Sequence, residues 1–335
     1  PVDFASAGSS QIGGNIGTNA GGIKVIRYGM TRNWILGLTV VTGNGDILEL
    51  NRGMIKNATG YDLRHLFIGA EGTLGIVTKA QVKLERAPQD LTVMVFGMEE
   101  FEHVMNVLSA FQSQIDLTAF EFFDEVAIEK LMATGHVQQP FEARTKYYAL
   151  LEFEAPYEPI MDKAMAMFEQ CMENGWIVDG VMSQSIAQAA ELWKLREYIS
   201  ETISVFTPYK NDVSVLISYV PEFIKDIESV VNANYPDFEI CWFGHIGDGN
   251  LHLNILKPEN LSKEEFFEKC QSVNDLVFTT VQKYGGSVSA EHGVGMTKKP
   301  YLEYSRSHTE IEYLKALKKV FDPNGIMNRG KIFDI

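Results

Sequence analysis

The sequence predicts an α+β fold, in which helices cover one face of a β-sheet. From about residue 91 onwards, short apolar runs typical of strands alternate with amphipathic segments of helical periodicity, and this alternation occurs twice. The preceding residues differ in composition and pattern, with glycine-rich segments around short apolar runs. A chain of 335 residues, 45% hydrophobic and 11% aromatic, is typical of a globular protein of about two domains. We place the boundary between them at Arg86–Pro88.

The first domain begins with a glycine-rich segment, residues 9–22. Backbone N–H groups in such a segment can approach a ligand closely, and a plain flexible loop is the alternative interpretation. The pattern is not Gly-x-Gly-x-x-Gly after a strand, which argues against a Rossmann domain. The other elements predicted here are strands at 35–41 and 47–50 with a turn at 43–45, glycine-studded segments at 59–62 and 69–76, and a strand at 77–84.

The second domain and the C-terminal segment combine strands with amphipathic helices. In residues 157–174 the apolar Ile160, Ala164, Met167 and Phe168 occur at helical spacing, which predicts a long helix. The predicted strands are 91–96, 147–153 and 213–219, and the predicted helices are 98–111, 157–174, 186–205, 221–233, 262–284 and 309–320.

A histidine-bearing hairpin, residues 241–254, is the most informative stretch of the sequence. Two apolar runs flank an Asp-Gly pair, and a tip at Asp248–Gly249 would pair residues whose numbers sum to 497. His245 would then face His252, with Cβ atoms about 4.5–5.5 Å apart, and Phe243 would face Asn254. Two imidazoles at that distance can bind one cation. The alternative is a buried hairpin whose histidines are satisfied by hydrogen bonds. Asp248 is interpreted as a turn residue.

A second cluster, residues 287–295, contains Glu291 followed by His292. Adjacent side chains of an extended segment point to opposite sides, so one could bind a metal while the other faces a substrate. Two histidines and one carboxylate leave an open coordination position, as catalytic metal sites do.

Charge and composition exclude several classes of function. The net charge of −15 and the pI of about 5.0 argue against nucleic acid and anionic membranes as partners. No apolar run reaches the roughly 18 residues that a transmembrane helix needs, and the first residues do not form a basic and apolar leader. The three cysteines, Cys171, Cys241 and Cys270, have no paired spacing and predict reduced thiols and a cytoplasmic location.

Several motifs together resemble those of one enzyme family. In chain order they are Ile12–Gly22, Thr59–Asp62, Gly69–Ile76, Gly244–His252, Ser289–Gly295 and Asp322–Gly325. They resemble, essentially end to end, the FAD-linked oxidases of the vanillyl-alcohol-oxidase type and their D-2-hydroxyacid dehydrogenase branch. The resemblance implies the second part of an FAD-binding domain (1–87), a ferredoxin-like α+β substrate domain with the metal site (88–305), and a C-terminal segment that packs back on the FAD domain (306–335).

The resemblance also implies roles for individual residues. His245, His252 and Glu291 match ligands of a divalent metal, usually zinc, and His292 matches the catalytic base. Positions matching contacts to FAD are Gly13, Gly14, Asn15, Thr18, Asn19, Gly22, Gly72, Gly75, Ile76 and Asn328. The implied reaction is oxidation of a D-2-hydroxyacid to the 2-oxoacid, with the hydride passing to flavin N5.

The implied substrate is D-2-hydroxyglutarate. Arg196, Ser200 and Lys210 match carboxylate-binding positions of the D-2-hydroxyglutarate dehydrogenase subgroup, and the hairpin register places Asn254 near substrate or metal. Arg offers a bidentate fork to a carboxylate and Lys a point charge. The alternative for Arg196 is a surface helix residue paired with Glu197 or Glu201. D-lactate or glycolate is the alternative substrate within the family.

Other readings remain open at this stage. In the family an earlier half of the FAD domain carries a pyrophosphate-binding loop, and we expect that half to precede Pro1. A chain without it could bind metal yet be inactive. A metal-dependent hydrolase is a further alternative. The electron acceptor is not identified, and a homodimer is one candidate for the oligomeric state.

Overall fold

The structure, a computed structural model, describes residues 1–4 and 6–335. These residues form two compact units. The first unit combines Pro1–Arg86 with Ser287–Ile335, and the second unit is Ala87–Gly286. Residues 287–305, which were predicted to belong to the substrate domain, therefore lie in the first unit.

The regular elements are numbered in chain order. The strands are β1 Ile35–Thr42, β2 Ile47–Leu50, β3 Gly75–Val82, β4 Leu91–Met98, β5 Leu117–Asp124, β6 Tyr147–Glu154, β7 Asp179–Met182, β8 Tyr209–Ser214, β9 Ile240–Gly244 and β10 Asn250–Ile255. The helices are α1 Ile12–Thr18, α2 Val25–Tyr28, α3 Arg64–Phe67, α4 Phe101–Gln112, α5 Glu125–Thr134, α6 Glu158–Glu173, α7 Ile186–Glu197, α8 Ile199–Ser204, α9 Val220–Asn234, α10 Lys263–Lys283 and α11 His308–Phe321. Among the described residues, every helix is too short or too polar to span a lipid bilayer.

The first unit is built on a three-stranded antiparallel sheet in the order β2-β1-β3. The predicted hairpin is confirmed, and its turn includes Gly45 at a φ of +85°. Apolar side chains from the sheet and from the helices share one core, whose members include Ile16, Leu38, Val40, Phe67 and Phe321. Helix α11, although near the end of the chain, therefore contributes to the core of this unit through Phe321.

The glycine-rich segment near the start contains a helix, so the plain-loop interpretation is wrong for residues 12–18. Ile16 on α1 is completely buried in the core, and this burial holds the helix in place despite its glycines. Asn19 ends the helix in the left-handed conformation, which short polar side chains tolerate.

The second unit contains a seven-stranded antiparallel sheet in the order β7-β4-β6-β5-β9-β10-β8. One face is apolar, where Phe96 stacks on Phe168 and Phe122 meets Phe101 edge to face. Helices α4 and α6 cover that face through these rings. The central strand β5 was not predicted, although it pairs with both β6 and β9.

The opposite face of this sheet carries buried polar groups. Because side chains alternate along a strand and paired residues share a face, Glu121 of β5, Glu152 of β6 and Asp212 of β8 all lie on it. Helix α7 supplies Trp193, whose Nε1 donates to Glu152 Oε2 at 2.8 Å, and Arg196, which pairs with Glu121.

Two predicted elements near this face are corrected. The single helix predicted at 186–205 is two helices divided at Tyr198. The strand predicted at 213–219 is β8, which begins earlier, at Tyr209, and ends at Ser214. Lys210 therefore lies within a strand, with a neighbour on β10.

Candidate functional site

The histidine hairpin has a different register from the predicted one. His252 pairs with Phe243 and Asn254 with Cys241, so partner numbers sum to 495. The connection is longer than two residues because Ile246–Asp248 form a 3-10 turn, and Gly249 follows at a φ of +83°. The predicted pairs His245–His252 and Phe243–Asn254 are therefore wrong. The shift is by two residues, however, so every side chain stays on its predicted face.

The two imidazoles nevertheless lie side by side. The ring centroids of His245 and His252 are 5.4 Å apart and the rings are nearly perpendicular, at 85°. His245 follows β9 directly and is buried, while His252 is half-buried on β10 with its ring 5.0 Å from that of Phe243. Two imidazoles in this arrangement are a suitable donor pair for a divalent cation.

A carboxylate fixes the orientation of His245. Both side-chain oxygens of Glu121 lie 2.8 Å from His245 Nδ1. An ionised carboxylate only accepts hydrogen bonds, so Nδ1 carries the proton and a neutral ring has its lone pair on Nε2. This is the tautomer in which a histidine ligates a metal through Nε2.

His252 has a carboxylate neighbour as well. Its Nδ1 lies 3.6 Å from Asp212 Oδ1. The same oxygen accepts a hydrogen bond from Asn250 Nδ2 at 2.8 Å, which holds the carboxylate in place. Asn254 is buried, and its Nδ2 donates to the backbone carbonyls of Cys241 at 3.2 Å and His252 at 3.1 Å. Asn254 thus supports the backbone of the hairpin beside His252.

Arg196 is buried, with only 6% of its surface exposed. Its Nε lies 2.8 Å from Glu121 Oε2, and its guanidinium lies 4.7 Å from the centre of the Phe243 ring. The alternative of a surface residue paired with Glu197 or Glu201 is therefore wrong. Among the described residues no hydrogen-bond acceptor is aligned with this buried Nε, so Glu121 is its ion-pair partner, and the two Nη nitrogens are the fork that recognises carboxylates.

The other predicted substrate residues lie in the same unit. Lys210 is an exposed residue of β8 and pairs across the strands with Asn254. Directly opposed residues share a face, so Lys210 is on the face of the sheet that carries His252. Ser200 is half-buried near the start of α8.

Glu291 and His292 belong to the first unit, in a loop rather than in the extended segment expected from the sequence. The chain turns at Gly293 and Gly295, which have φ values of +72° and +53°. Ser289 Oγ closes the turn by donating to the carbonyl of Gly293 at 2.6 Å. Because this segment is not extended, the alternation of side chains along a strand does not determine the directions of Glu291 and His292.

Glu71 anchors this loop within the first unit. Its Oε1 accepts a hydrogen bond from Val294 N at 2.7 Å and its Oε2 accepts one from Gly295 N at 2.9 Å. The backbone carbonyl of Glu71 accepts a hydrogen bond from Asn328 Nδ2, and its N–H donates to the carbonyl of Gly17 at 2.8 Å. Glu71 thus joins three of the motifs that the resemblance singled out.

The ten residues predicted to contact FAD all lie in the first unit, in two kinds of environment. Gly13 and Gly14 are exposed, and a Cβ at either would meet nothing within 4 Å, which leaves their backbone open to a ligand. Gly22 and Gly75 are buried, and a Cβ there would lie 2.5 Å from Asp3 O and 2.8 Å from Val41 O respectively. The fold itself therefore requires glycine at these two positions.

The remaining predicted cofactor residues differ in exposure. Asn19 Oδ1 accepts a hydrogen bond from Arg32 N at 2.9 Å, so its side chain is engaged in the fold. The exposed members of the set are Thr18, Gly72, Ile76 and Asn328, and the half-buried ones are Asn15 and Asn19.

Sequence reasoning missed Glu121, Asp212 and Glu71. The first lies alone among apolar residues in the run Leu117–Phe123, and a single charge in such a run was the available signal. Asp212 lies two residues after Lys210, where no sequence motif indicates a histidine as its neighbour. Glu71 was included in a glycine motif, but nothing in its local sequence indicates a partner 223 positions away.

Two protein-family models match this chain. A family model described as "FAD linked oxidases, C-terminal domain" matches residues 87–332, and one described as "FAD binding domain" matches residues 1–51. The first match alone covers more than half of the chain. The chain therefore belongs to the FAD-linked oxidases, a family of flavoenzymes.

Within that family the chain belongs with relatives named D-2-hydroxyglutarate dehydrogenase. It is 68% identical over 333 residues to the one from Stutzerimonas stutzeri (strain A1501), with 99% of this chain and 72% of the relative covered. It is 52% identical to the one from Xanthomonas citri pv. viticola, with 100% of this chain and 71% of the relative covered. The mitochondrial protein of that name from Arabidopsis thaliana is 34% identical, with 99% and 59% covered.

Solved structures confirm the α+β fold of this oxidase type. The p-cresol methylhydroxylase structure superposes with a TM-score of 0.72 at 14% identity, covering 100% of this chain and 71% of that one. An alkyldihydroxyacetonephosphate synthase superposes with a TM-score of 0.64 at 20% identity, covering 98% and 59%. At these identities the likeness concerns the fold alone.

Proposed function

We propose that this protein catalyses the FAD-dependent, metal-assisted oxidation of a D-2-hydroxyacid, with D-2-hydroxyglutarate as the substrate. The observation that carries the proposal is Arg196, a buried guanidinium next to the His245–His252 pair, because Glu121 contacts both Arg196 and His245. A fixed cation beside two metal-type ligands suits an anionic hydroxyacid. The names of the bacterial relatives and the family membership support the same reaction.

We propose that His245 and His252 hold a divalent metal and that Glu291 supplies the third ligand. The donor set fits, because Glu121 holds His245 in the Nδ1–H tautomer and the second imidazole is adjacent. Glu291 is included on its motif, as one carboxylate added to two histidines is a frequent catalytic set. When bound, the metal would supply a Lewis acid for the 2-hydroxyl group, and FAD would supply the hydride acceptor at N5.

The residues of the chain would bind the substrate and move its proton. The Arg196 fork and the Lys210 ammonium would each take one carboxylate, with Ser200 donating a further hydrogen bond. Two cations suit a dicarboxylate better than D-lactate or glycolate, each of which has a single carboxylate. His292 would remove the hydroxyl proton as general base, an effect typically worth about 10²–10⁴-fold. Asn254, which donates to the carbonyl of His252, would keep the hairpin in shape.

The visible spectrum tests the reaction directly. We would reconstitute the purified chain with FAD, remove oxygen, and record the spectrum before and after adding D-2-hydroxyglutarate. Bleaching by the D acid but not the L acid is the expected result. A yellow protein that only D-lactate or glycolate bleaches would contradict the proposed substrate. A chain that stays colourless after reconstitution would contradict FAD binding by this chain.

Metal analysis tests the histidine pair independently of the flavin. His245→Ala and His252→Ala should each lose zinc after dialysis, whereas His136→Ala, at an exposed position outside every motif, should keep the parent content. Unchanged zinc in both hairpin variants would overturn the metal assignment. His292→Asn should lower the rate of flavin reduction by 10²-fold or more with zinc retained. A rate within threefold of the parent would exclude His292 as the base.

Several expectations from the sequence stay predictions. The three cysteines are buried free thiols, and a cytoplasmic location is proposed on their reduced state alone. Membership in a family of FAD-linked oxidases favours flavin chemistry over the metal-dependent hydrolase.

A further inference from the structure

We infer that Glu121 is a positioning residue shared by the metal-binding and the substrate-binding parts of the site. The inference rests on the proposed function, because it assigns Glu121 the task of orienting His245 and Arg196 together. Glu121 lies on the central strand β5, between β6 and β9, and only 1% of its surface is exposed. A side chain on a central strand of a sheet is held more firmly than one on a loop.

The carboxylate contacts both partners at short distance. Its two oxygens are each 2.8 Å from His245 Nδ1, and Oε2 is also 2.8 Å from Arg196 Nε. A buried carboxylate is stable only when its charge is compensated, and here the permanently charged guanidinium provides the compensation. The carboxylate can therefore accept from Nδ1–H of His245, an orientation that leaves Nε2 as the nitrogen available to a metal.

The arrangement needs an acceptor on both sides, which only a carboxylate provides. A glutamine at this position has one acceptor oxygen and one NH₂ donor. If the oxygen faces Arg196, the NH₂ group faces His245 Nδ1 and forces the proton onto Nε2, where the metal should bind. If the oxygen faces His245, the NH₂ group faces the Arg196 guanidinium, which then has a donor in place of its ion-pair partner. In either orientation the neutral amide takes from Arg196 its compensating charge and from His245 its charged acceptor, so Glu121→Gln weakens both the anchor of the arginine and the orientation of the metal-binding histidine.

Glu152 offers a matched control on the same face of the sheet. It is also a buried glutamate on a strand, β6, and it also lies close to helix α7. Its oxygens accept hydrogen bonds from Trp193 Nε1 at 2.8 Å and Thr118 Oγ1 at 2.5 Å. Glu152→Gln thus makes the same chemical change in a similar environment, at a residue that we place outside the binding machinery.

The experiment measures metal binding first, without any need for turnover. Zinc affinity would be determined by competition with a chromophoric chelator for the parent, Glu121→Gln, Glu121→Asp and Glu152→Gln. Loss of a carboxylate that orients a metal-binding histidine typically weakens affinity about 10–100-fold, and we expect this for Glu121→Gln. Glu152→Gln should stay within threefold of the parent. Glu121→Asp keeps an acceptor-only group and should bind zinc more tightly than Glu121→Gln.

Two further readouts separate positioning from general loss of structure. In the cobalt-substituted protein, a changed tautomer of His245 should alter the visible ligand-field bands in Glu121→Gln and not in Glu152→Gln. At saturating zinc, Glu121→Gln should still show a raised KM for D-2-hydroxyglutarate, because Arg196 has lost its anchor. A parent-like KM at saturating zinc would overturn the shared role.

The outcomes distinguish this inference from the proposed function. If His245→Ala loses zinc while Glu121→Gln binds it within threefold of the parent, the inference is overturned and the metal site stands. If His245→Ala and His252→Ala both bind zinc like the parent, the metal proposal itself is wrong. If Glu121→Gln fails to fold, Glu121→Asp becomes the test variant, with a folded, parent-like Glu152→Gln as its control. Glu121→Asp retains the negative charge and should therefore keep part of the zinc affinity. A loss of zinc affinity in Glu121→Asp equal to that in His245→Ala would contradict the inference.

Discussion

Glu71 accepts a hydrogen bond from the backbone N–H of Val294 at 2.7 Å, although the two residues lie 223 positions apart in the chain. The second oxygen of the same carboxylate accepts from the next N–H, that of Gly295, at 2.9 Å. Two consecutive N–H groups held by one carboxylate define the path of the loop immediately after Glu291 and His292. The orientation of these two functional candidates therefore depends on a side chain from a distant motif.

Glu71→Gln is expected to loosen this loop. The amide keeps one acceptor and turns an NH₂ donor towards a backbone N–H, so one hydrogen bond to a charged group is lost, worth about 1.5–3 kcal/mol. We expect a lower unfolding free energy by about that amount, measured by urea denaturation, and slower flavin reduction by D-2-hydroxyglutarate. Glu49→Gln is the control, because Glu49 is 62% exposed in a surface ion pair with Arg52. Equal behaviour of the two variants would exclude an anchoring role for Glu71.

Gly293→Ala is expected to be more costly than the same change at another turn. Gly293 has a φ of +72°, and a Cβ there would lie 2.7 Å from Glu71 Oε1. Gly135, which ends α5, has a φ of +71° and nothing within 4 Å of the added atom. Both variants pay about 1–2 kcal/mol for the left-handed backbone, and only Gly293→Ala also displaces the carboxylate.

Urea denaturation and flavin reduction check this pair of variants. Gly135→Ala should lose stability and keep its rate, whereas Gly293→Ala should lose both. In the Glu71→Gln background the extra cost of Gly293→Ala should shrink, since the hydrogen bond it disturbs is already weakened. Strict additivity of the two changes would argue against the clash.

The sequence was sufficient for many of the local elements and for the faces of the hairpin. The alternation along residues 241–254 correctly put His245 and His252 on one face, because a shift of two residues leaves side-chain direction unchanged. The register itself failed because an Asp-Gly pair predicts a two-residue turn, whereas Ile246–Asp248 add a 3-10 turn. A two-residue turn and a longer connection both accept a glycine in the left-handed region, so an Asp-Gly pair alone does not determine the length of the connection.

Local sequence patterns did not predict the buried polar contacts around the two histidines. Strand β5 is buried along its whole length, so it lacks the alternation that marks a strand with one exposed face, and it leads directly into α5. Glu121 therefore had no predicted element, and its contact with His245 spans 124 positions. Arg196 lies on a helix with neighbouring acids at positions 197 and 201, which favoured a surface pairing that the fold replaces with a buried one.

Arg196→Met should destabilise the second unit strongly. The substitution leaves the Glu121 carboxylate buried without its cation, a change that typically costs about 3–5 kcal/mol. Urea denaturation should show this loss, and Arg196→Lys, which keeps a charge, should recover part of it. Arg306→Met provides the control, because its ion pair with Glu310 is exposed, at 57% and 53%, and its loss should have no measurable effect. Similar stability of Arg196→Met and the parent would show that His245 alone compensates Glu121.

Asp124 should make the stability of the protein depend on pH between about 4 and 7. Burial raises the pKa of this carboxyl from 3.8 to about 7, although it accepts hydrogen bonds from Ala127 N and Trp242 N, which lower it. The folded protein then holds a proton that the unfolded chain has already released, so the unfolding free energy falls as the pH rises through this window.

Asp124→Asn isolates that contribution, because the amide has no charge to desolvate while other groups titrate equally in both proteins. Relative to the variant, the parent should lose stability from pH 4 to pH 8 by about 4 kcal/mol at most, the equivalent of the full shift in pKa. Urea denaturation at intervals across this range checks the sign as well as the size. Parallel pH profiles of the two proteins would mean that Asp124 titrates near its unfolded pKa, with the two backbone N–H donors outweighing its burial.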